Sequence, residues 1–121
     1  MKDEFQEKVN ACRKSWSKTD KRKYKEQLKQ CRKALGKIAK TYLPYGYDSV
    51  FEMMKVIFQH WSQYYELGYN VFGDDSEETP TRKEIANELS AKVNALCEDG
   101  EPEQLAEFVE YFKAHILRMW D

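Results

Sequence analysis

The chain has 121 residues and a formal net charge of −1, and aromatic side chains make up 14% of it. This length suits one domain with one hydrophobic core, and the aromatic content excludes disorder throughout the chain. No apolar run approaches the roughly 20 residues that cross a bilayer, and no signal-peptide pattern opens the sequence, so we expect a cytoplasmic protein without a membrane partner. Three widely separated cysteines predict reduced thiols rather than disulfides or a zinc site.

Charge is divided unevenly along the chain. Residues 1–40 contain 14 Lys and Arg against 5 Asp and Glu, whereas residues 41–121 contain 6 against 16. The two parts therefore carry formal charges of +9 and −10. Such an asymmetry bears on how a protein associates with its partners, and it does not define a fold.

The first predicted helix has an apolar face whose residues recur in steps of four and three. Residues 17–20 break this pattern and provide Thr19 or Asp20 as the N-cap of a second helix, and we expect a hinge there. The apolar face of the first helix consists of Phe5, Val9, Cys12 and Trp16.

The second predicted helix, residues 20–42, is the basic helix, with nine Lys and Arg against Asp20 and Glu26. Its apolar residues form a narrow seam over about three heptads, the shortest run that indicates a coiled-coil-like contact. This seam must pack on the core or on another chain, because leaving it in water would cost several kcal/mol. The seam consists of Tyr24, Leu28, Cys31, Leu35, Ile38 and Tyr42.

Three further helices are predicted after the turn at residues 43–47. Ser49 with Glu52, and Thr81 with Glu84, have the spacing of capping boxes, and Gly100 is a natural helix stop. The predicted core consists of Phe51, Met54, Ile57, Phe58, Trp61, Leu89, Val93, Leu96, Leu105, Phe108, Val109, Phe112 and Ile116.

Between the third and fourth predicted helices, residues 68–81 are the longest stretch without periodicity. Loops of this length are often functional or mobile. Four carboxylates lie in it, but the ligand spacing and central glycine of a calcium-binding EF-hand are missing, which favours a solvated loop or one that folds back on the basic helix. These carboxylates belong to Asp74, Asp75, Glu77 and Glu78.

Motifs for catalysis and cofactor binding are absent from the sequence. It has no glycine-rich phosphate loop, no nucleophile elbow and no zinc-type spacing of Cys and His, so we predict no cofactor, no metal, no small-molecule substrate and no catalytic residue. The enzyme alternative depends on His60 or His115 acting with Cys97, as a thiol and imidazole pair, or with the acidic loop. Packed or half-exposed side chains are the preferred interpretation of both histidines.

Residues 81–89 resemble the first helix of a helix-turn-helix DNA reader. The pattern departs from it further along, because Ser90 stands where glycine is usual and the reading helix would carry Glu98 and Asp99. An ordinary amphipathic core helix is therefore the preferred interpretation.

Several tyrosines form a weaker candidate surface. Tyr45 and Tyr47 lie in the predicted turn, and Tyr64 and Tyr69 fall beside the apolar stripe of the third helix. Exposed aromatic side chains anchor interfaces and stack on unpaired bases. Alternatively, these residues close the ends of a bundle, with their hydroxyls reaching solvent.

The basic helix is the strongest candidate for a functional surface. Few of its charges have a local partner of opposite sign, and a cationic stripe of this kind suits a phosphate backbone or an acidic protein surface. The residues predicted to form it are Arg22, Lys25, Lys29, Arg32, Lys33, Lys37 and Lys40.

These patterns predict a single all-α domain of about five helices. Residues 1–43 would form a basic helical arm or hairpin, and residues 48–121 an acidic three-helix core with a long loop at 68–81. Because the seam is narrow, we expect the basic helix to be an exposed rod.

The predicted function is non-catalytic binding, as a regulator or inhibitor that docks on nucleic acid, a nucleoprotein complex or an acidic protein through the basic helix. Compact, charge-polarised chains without motifs resemble in style the early proteins of phages and mobile elements, including inhibitors of host nucleases. The alternative is a self-associating structural or scaffold protein, a homo-oligomer held by the seam and by opposite charges.

Overall fold

The computed structural model describes residues 17–67 and 80–119, together with Glu4 and Glu7. All regular structure in these residues is helical, as the sequence predicts, and they contain no strand. The first predicted helix, apart from Glu4 and Glu7, and the acidic residues of the 68–81 loop lie outside the described residues. The described elements are α1 (Lys18–Thr41), α2 (Asp48–Tyr65), α3 (Arg82–Asp99), α4 (Pro102–His115) and a 3-10 helix (Ile116–Met119).

The predicted basic helix is α1, and it begins earlier than the sequence pattern indicates. Ser17 is its N-cap, and the Ser17 hydroxyl accepts a hydrogen bond from the backbone N–H of Asp20 at 3.1 Å. The hinge expected at residues 17–20 stays a prediction, because residues 8–16 lie outside the described residues. Thr19 and Asp20, the predicted N-caps, lie inside the first turn of α1 instead. The Ser17 hydroxyl satisfies one of the free N–H groups of that turn, which allows the helix to start before them.

Only one of the two predicted capping boxes forms. At the start of α3, the Thr81 hydroxyl accepts from the Glu84 N–H at 3.2 Å, and the Glu84 carboxylate accepts from the Thr81 N–H at 3.0 Å. The hydrogen bonds from the Thr81 backbone and hydroxyl hold the pKa of Glu84 below its usual value. No such box forms between Ser49 and Glu52, because α2 begins at Asp48 and Ser49 lies inside its first turn.

The α3 helix continues without a break past Ser90, so the helix-turn-helix interpretation is wrong. It ends at Gly100, whose φ of 65° is the left-handed conformation that glycine adopts without strain. Two residues later, Pro102 begins α4, where its missing N–H costs nothing.

Consecutive helices run antiparallel, and α2 has neighbours on two faces. Tyr24 near the start of α1 meets Tyr64 near the end of α2, with ring centroids 6.0 Å apart. Lys83 at the start of α3 pairs with Glu66, just beyond α2, at 2.9 Å. On another face of α2, Phe58 lies 6.1 Å from Phe108 of α4 between ring centroids. The α2 helix therefore separates α1 from α3 and α4.

The buried core lies between α2, α3 and α4. Ile85, which the sequence analysis leaves out of the core, is fully buried, whereas Leu105 and Val109 are wrong predictions, with 40% and 47% of their surface exposed. The apolar stripe of α4 is wider than the face that its neighbours cover, which leaves these two residues at its edge. The predicted residues that are buried or packed against the core are Phe51, Met54, Ile57, Phe58, Trp61, Leu89, Val93, Leu96, Phe108, Phe112 and Ile116.

One buried arginine joins the two ends of the described core. Arg82, at the start of α3, is buried, and its Nε donates a hydrogen bond to the backbone carbonyl of Arg118 at 2.8 Å. Arg118 belongs to the 3-10 helix that follows α4. This hydrogen bond fastens the 3-10 helix to the beginning of α3.

The apolar seam of α1 packs on α2 within the same chain. Its residues from Tyr24 to Ile38 are half-buried, whereas Tyr42 is exposed, and no residue of α1 is fully buried. The α1 helix is thus attached along one edge, and the rest of its surface faces solvent.

Candidate functional site

The solvent side of α1 is cationic from end to end. This helix contains ten Lys and Arg against Asp20 and Glu26, and all ten are exposed. None of them pairs with a carboxylate of the described residues, whose ion pairs are Lys83 with Glu66 and Lys92 with Glu88. The Glu26 carboxylate accepts a hydrogen bond from the Gln30 side chain instead.

Helical geometry divides the seven predicted cations into a central row and two flanks. At about 100° of rotation per residue, four of them lie opposite the seam. Lys25 and Arg32 lie on one flank and Lys37 on the other. The central row, which spans about 27 Å at 1.5 Å per residue, consists of Arg22, Lys29, Lys33 and Lys40.

The flank with Lys25 and Arg32 leads to an apolar notch at the end of α1. Lys25, Arg32 and Ala39 are seven residues apart, which is close to two helical turns, so they lie on one side of the helix. Ala39 lines the notch, which has a volume of about 300 Å³ between the end of α1 and the start of α2. Its other lining residues are Tyr42, Ser49, Val50 and Met53.

One histidine of α2 lies near the cationic helix. His60 is half-buried, and its Nε2 has no hydrogen-bond partner among the described residues. Burial, and secondly the positive charge of Arg32, hold the pKa of His60 below its usual 6.5. The lowered pKa favours the neutral imidazole, so His60 adds little charge to the cationic surface at pH 7.

The four tyrosines of the predicted aromatic patch do not form one surface in the described residues. Tyr45 and Tyr47 are 80% and 77% exposed at the turn before α2. Tyr64 is half-buried near the other end of α2, and its ring lies 5.2 Å from that of Tyr65. Tyr69 lies outside the described residues. Tyr64 is seventeen positions after Tyr47 along α2, a separation of about 26 Å at 1.5 Å per residue.

The turn between α1 and α2 carries most of the exposed large apolar side chains in the described residues, and we refer to this group as the tip. Sequence reasoning placed Tyr45 and Tyr47 in the candidate aromatic patch. It assigned Tyr42 to the seam and Val50 to the apolar face of the third helix, and it gave Leu43 no role. Tyr42, Leu43 and Val50 lie close in sequence to the turn at Pro44 and Gly46, and this proximity could have indicated that they are exposed. The tip consists of Tyr42, Leu43, Tyr45, Tyr47 and Val50.

Next to Tyr47 the charge of the surface changes from positive to negative. A cleft of about 390 Å³ lies between the start of α2, the end of α3 and the start of α4, and Phe51, Leu96 and Leu105 contribute to its apolar lining. Its carboxylates come from three separate segments, which is why sequence reasoning missed the cleft. Five carboxylates and no Lys or Arg line it: Asp48, Glu52, Glu98, Asp99 and Glu101.

The structure does not assemble the thiol and imidazole pair. Cys97 lies near the start of α4, whereas His115 is the last residue of that helix, about 20 Å further along at 1.5 Å per residue. His60 belongs to α2 and lies close enough to Arg32 of α1 for that positive charge to lower its pKa. Burial, reinforced by the nearby Glu52, raises the pKa of the Cys97 thiol, which opposes formation of a nucleophilic thiolate.

Residues 17–67 and 80–119 contain neither a metal-binding cluster nor a membrane-spanning helix. No group of His, Cys, Asp or Glu there has an arrangement that would hold a metal ion. None of the helices in these ranges is both long and apolar enough to cross a membrane.

Fold and surface define a small all-α protein with a cationic outer helix and an exposed aromatic tip. No protein family, curated protein or solved structure matches the chain. Its function must therefore be argued from these surfaces.

Proposed function

We propose that this protein is a non-catalytic binding protein, a regulator or inhibitor that docks through α1 on nucleic acid or on a nucleoprotein complex. The observation that carries the proposal is the solvent side of α1, where ten exposed Lys and Arg lack carboxylate partners among the described residues. The free thiols Cys31 and Cys97 suit a reducing compartment such as the cytoplasm.

Electrostatic repulsion explains why this surface favours an anionic ligand. Ten like charges on one 24-residue helix repel one another, and salt bridges to neighbouring helices do not relieve this within the described residues. A phosphate backbone brings closely spaced negative charges, and each neutralised phosphate also releases counterions. The central row from Arg22 to Lys40 is long enough to contact several phosphates.

The attachment of α1 to α2 adds preorganisation. Only the seam edge is covered, and the Ser17 cap fixes the beginning of the helix. The cations are therefore presented on a formed helix, so binding does not require the backbone of α1 to be ordered first.

Salt-dependent binding to short DNA and RNA tests the proposal. We expect the logarithm of the affinity to fall linearly with the logarithm of salt concentration. Reversing two charges of the central row, as Lys29→Glu with Lys33→Glu, should weaken binding at least tenfold at low salt and reduce the slope by about 1 to 2.

The matched control reverses two exposed lysines away from α1, as Lys83→Glu with Lys113→Glu. It changes the net charge by the same amount, and loss of the exposed Lys83 pair with Glu66 costs at most about 1 kcal/mol. If the control weakens binding as much as the central-row variant does, net charge rather than the α1 surface determines binding, and the proposal is wrong.

Self-association is the second candidate function, and the acidic cleft supports it. The cleft and α1 carry opposite charges on one chain, so the basic helix of one copy is complementary to the cleft of another. The seam already packs on α2, which leaves these charges to hold the oligomer. Light scattering at low and high salt tests this candidate, since a monomer under both conditions excludes it.

A further inference from the structure

The tip contains five of the eight exposed large apolar side chains of the described residues. Most of the ring of a tyrosine is apolar, so its exposure to water is unfavourable. Tyr45 is 80% exposed and has no aromatic ring packed against it among the described residues. Contiguous exposed apolar groups on a monomer mark interaction sites. A ligand with flat, apolar faces would therefore suit the tip.

The cationic flank of α1 approaches the tip directly. The line through Lys25 and Arg32 continues to Ala39, and Ala39 shares the notch with Tyr42. Arg32 and Ala39 are seven residues apart, about 10 Å along the helix axis. An anionic chain held by the cations would thus reach Tyr42, and Tyr45 follows three residues later in the turn.

The opposite side of the tip repels such a chain. The ring of Tyr47 packs edge-on against Phe51, with centroids 6.2 Å apart, and both residues line the acidic cleft. Carboxylates at Asp48 and Glu52 in that cleft would repel phosphate groups. Charge therefore distinguishes Tyr42, next to the cationic flank, from Tyr47, which lines the acidic cleft. Tyr45 lies between them in the chain and does not line the cleft.

We infer that Tyr42 and Tyr45 form a stacking platform for unpaired bases, and that the ligand of α1 is single-stranded nucleic acid. This inference rests on the proposed function and narrows its ligand class. Single strands expose base faces to aromatic side chains, whereas a duplex keeps those faces inside its stack. The cations would hold the phosphates while the tyrosines hold the bases.

Fluorescence anisotropy with a labelled oligothymidine, compared with the same strand annealed to its complement, tests the inference on the full chain. We expect tighter binding of the single strand. Tyr45→Ala should weaken single-strand binding about 5- to 100-fold, the range that stacking on one aromatic side chain supplies, and should leave duplex binding unchanged. Because Tyr45 is 80% exposed, this change does not disturb packing.

Two further variants separate stacking from other effects. Tyr45→Phe keeps the ring and should bind the single strand within about twofold of the original protein, if stacking is the interaction. Tyr47→Ala removes an equally exposed tyrosine from the acidic side and should have little effect on binding. Neither change should alter the salt slope, which reports the phosphate contacts.

Three outcomes of these binding measurements would contradict the inference. Equal affinity for single strand and duplex, with Tyr45→Ala without effect, overturns the platform but leaves the proposed function standing. Binding of an acidic peptide such as polyglutamate, with no binding of either nucleic acid, overturns the inference and reassigns α1 to an acidic protein. Failure to bind any of these polyanions overturns both proposals.

Discussion

Gly36 lies on the solvent side of α1, in the interior of the helix. A Cβ at this position would meet no atom within 4 Å apart from its chain neighbours and the backbone of its own helix. Glycine inside a helix lowers stability relative to alanine because the unfolded chain has more backbone freedom to lose. Neither packing nor backbone geometry therefore requires glycine at this position.

We expect Gly36→Ala to raise the free energy of unfolding by about 0.4 to 1 kcal/mol, measured by urea or thermal denaturation. Gly100→Ala provides a control of opposite sign. Gly100 has a φ of 65°, where an L side chain is strained, so this change should lower stability by about 1 to 2 kcal/mol. A loss of stability in Gly36→Ala would contradict the placement of Gly36 in open space inside a helix.

His60 gives the contact between α1 and α2 a dependence on pH. Its pKa in the folded protein lies below the usual 6.5 because of burial and the nearby Arg32. The unfolded chain therefore binds more protons than the folded chain as the pH falls through 6.5, so the stability contributed by neutral His60 is present above that pH and is lost below it.

We expect the free energy of unfolding to decrease as the pH falls from 7 toward the depressed pKa, and His60→Gln to reduce this slope. Chemical denaturation across this pH range measures it. His115→Gln is the matched control, since His115 lies at the end of α4 against Tyr111 rather than against Arg32. The interpretation fails if both variants keep the original slope.

At the scale of elements, the two capping-box patterns show how much a local sequence signal decides. Thr81 and Glu84 exchange both hydrogen bonds of the box. Ser49 and Glu52 have the same spacing but do not, because residues 43–47 turn so that the N-cap of α2 is Tyr47, two residues before Ser49. Spacing alone thus does not determine which residue occupies the cap position.

We expect Thr81→Ala to destabilise the protein by about 1 kcal/mol, since an N–H group of the first turn of α3 loses its partner. Ser49→Ala should change stability by less than about 0.5 kcal/mol, because its hydroxyl caps no helix. Thermal unfolding of both variants makes the comparison. Equal losses would mean that the Ser49 box forms in solution.

At the scale of the whole molecule, stability is concentrated between α2, α3 and α4, whereas α1 is attached along one edge. Ile85, Leu89 and Val93 are fully buried on α3, while α1 contributes no buried residue. Because buried apolar area is the main source of stability, we infer that α3 is the central element of the fold.

The same substitution, valine to alanine, at one position of α3 and one of α4 tests how stability is distributed in the fold. We expect Val93→Ala to lower the free energy of unfolding by roughly 2 kcal/mol, through lost burial and the cavity that remains. Val109→Ala removes the same atoms from a residue that is 47% exposed and should change stability by less than about 0.5 kcal/mol. Similar losses at both sites would indicate that α4 packs more deeply than described.

The sequence by itself determined the helical class and most helix positions. The apolar residues of α2 and α3 recur at helical spacing, and Gly100 and Pro102 mark a boundary through their own backbone preferences. It also placed the seven cations on the solvent side of α1, because the opposite side of that helix carries the apolar seam. These features depend on residues that are near one another in the chain.

Only the tertiary structure decided which apolar faces are covered. The seam of α1 packs on α2 instead of a second chain, Leu105 and Val109 stay exposed, and Tyr64 leaves the predicted aromatic patch by packing against Tyr24. The notch and the acidic cleft arise where separate helices end side by side. A helix shows its own apolar stripe in its sequence, but the part of that stripe that is buried depends on the position of its neighbours.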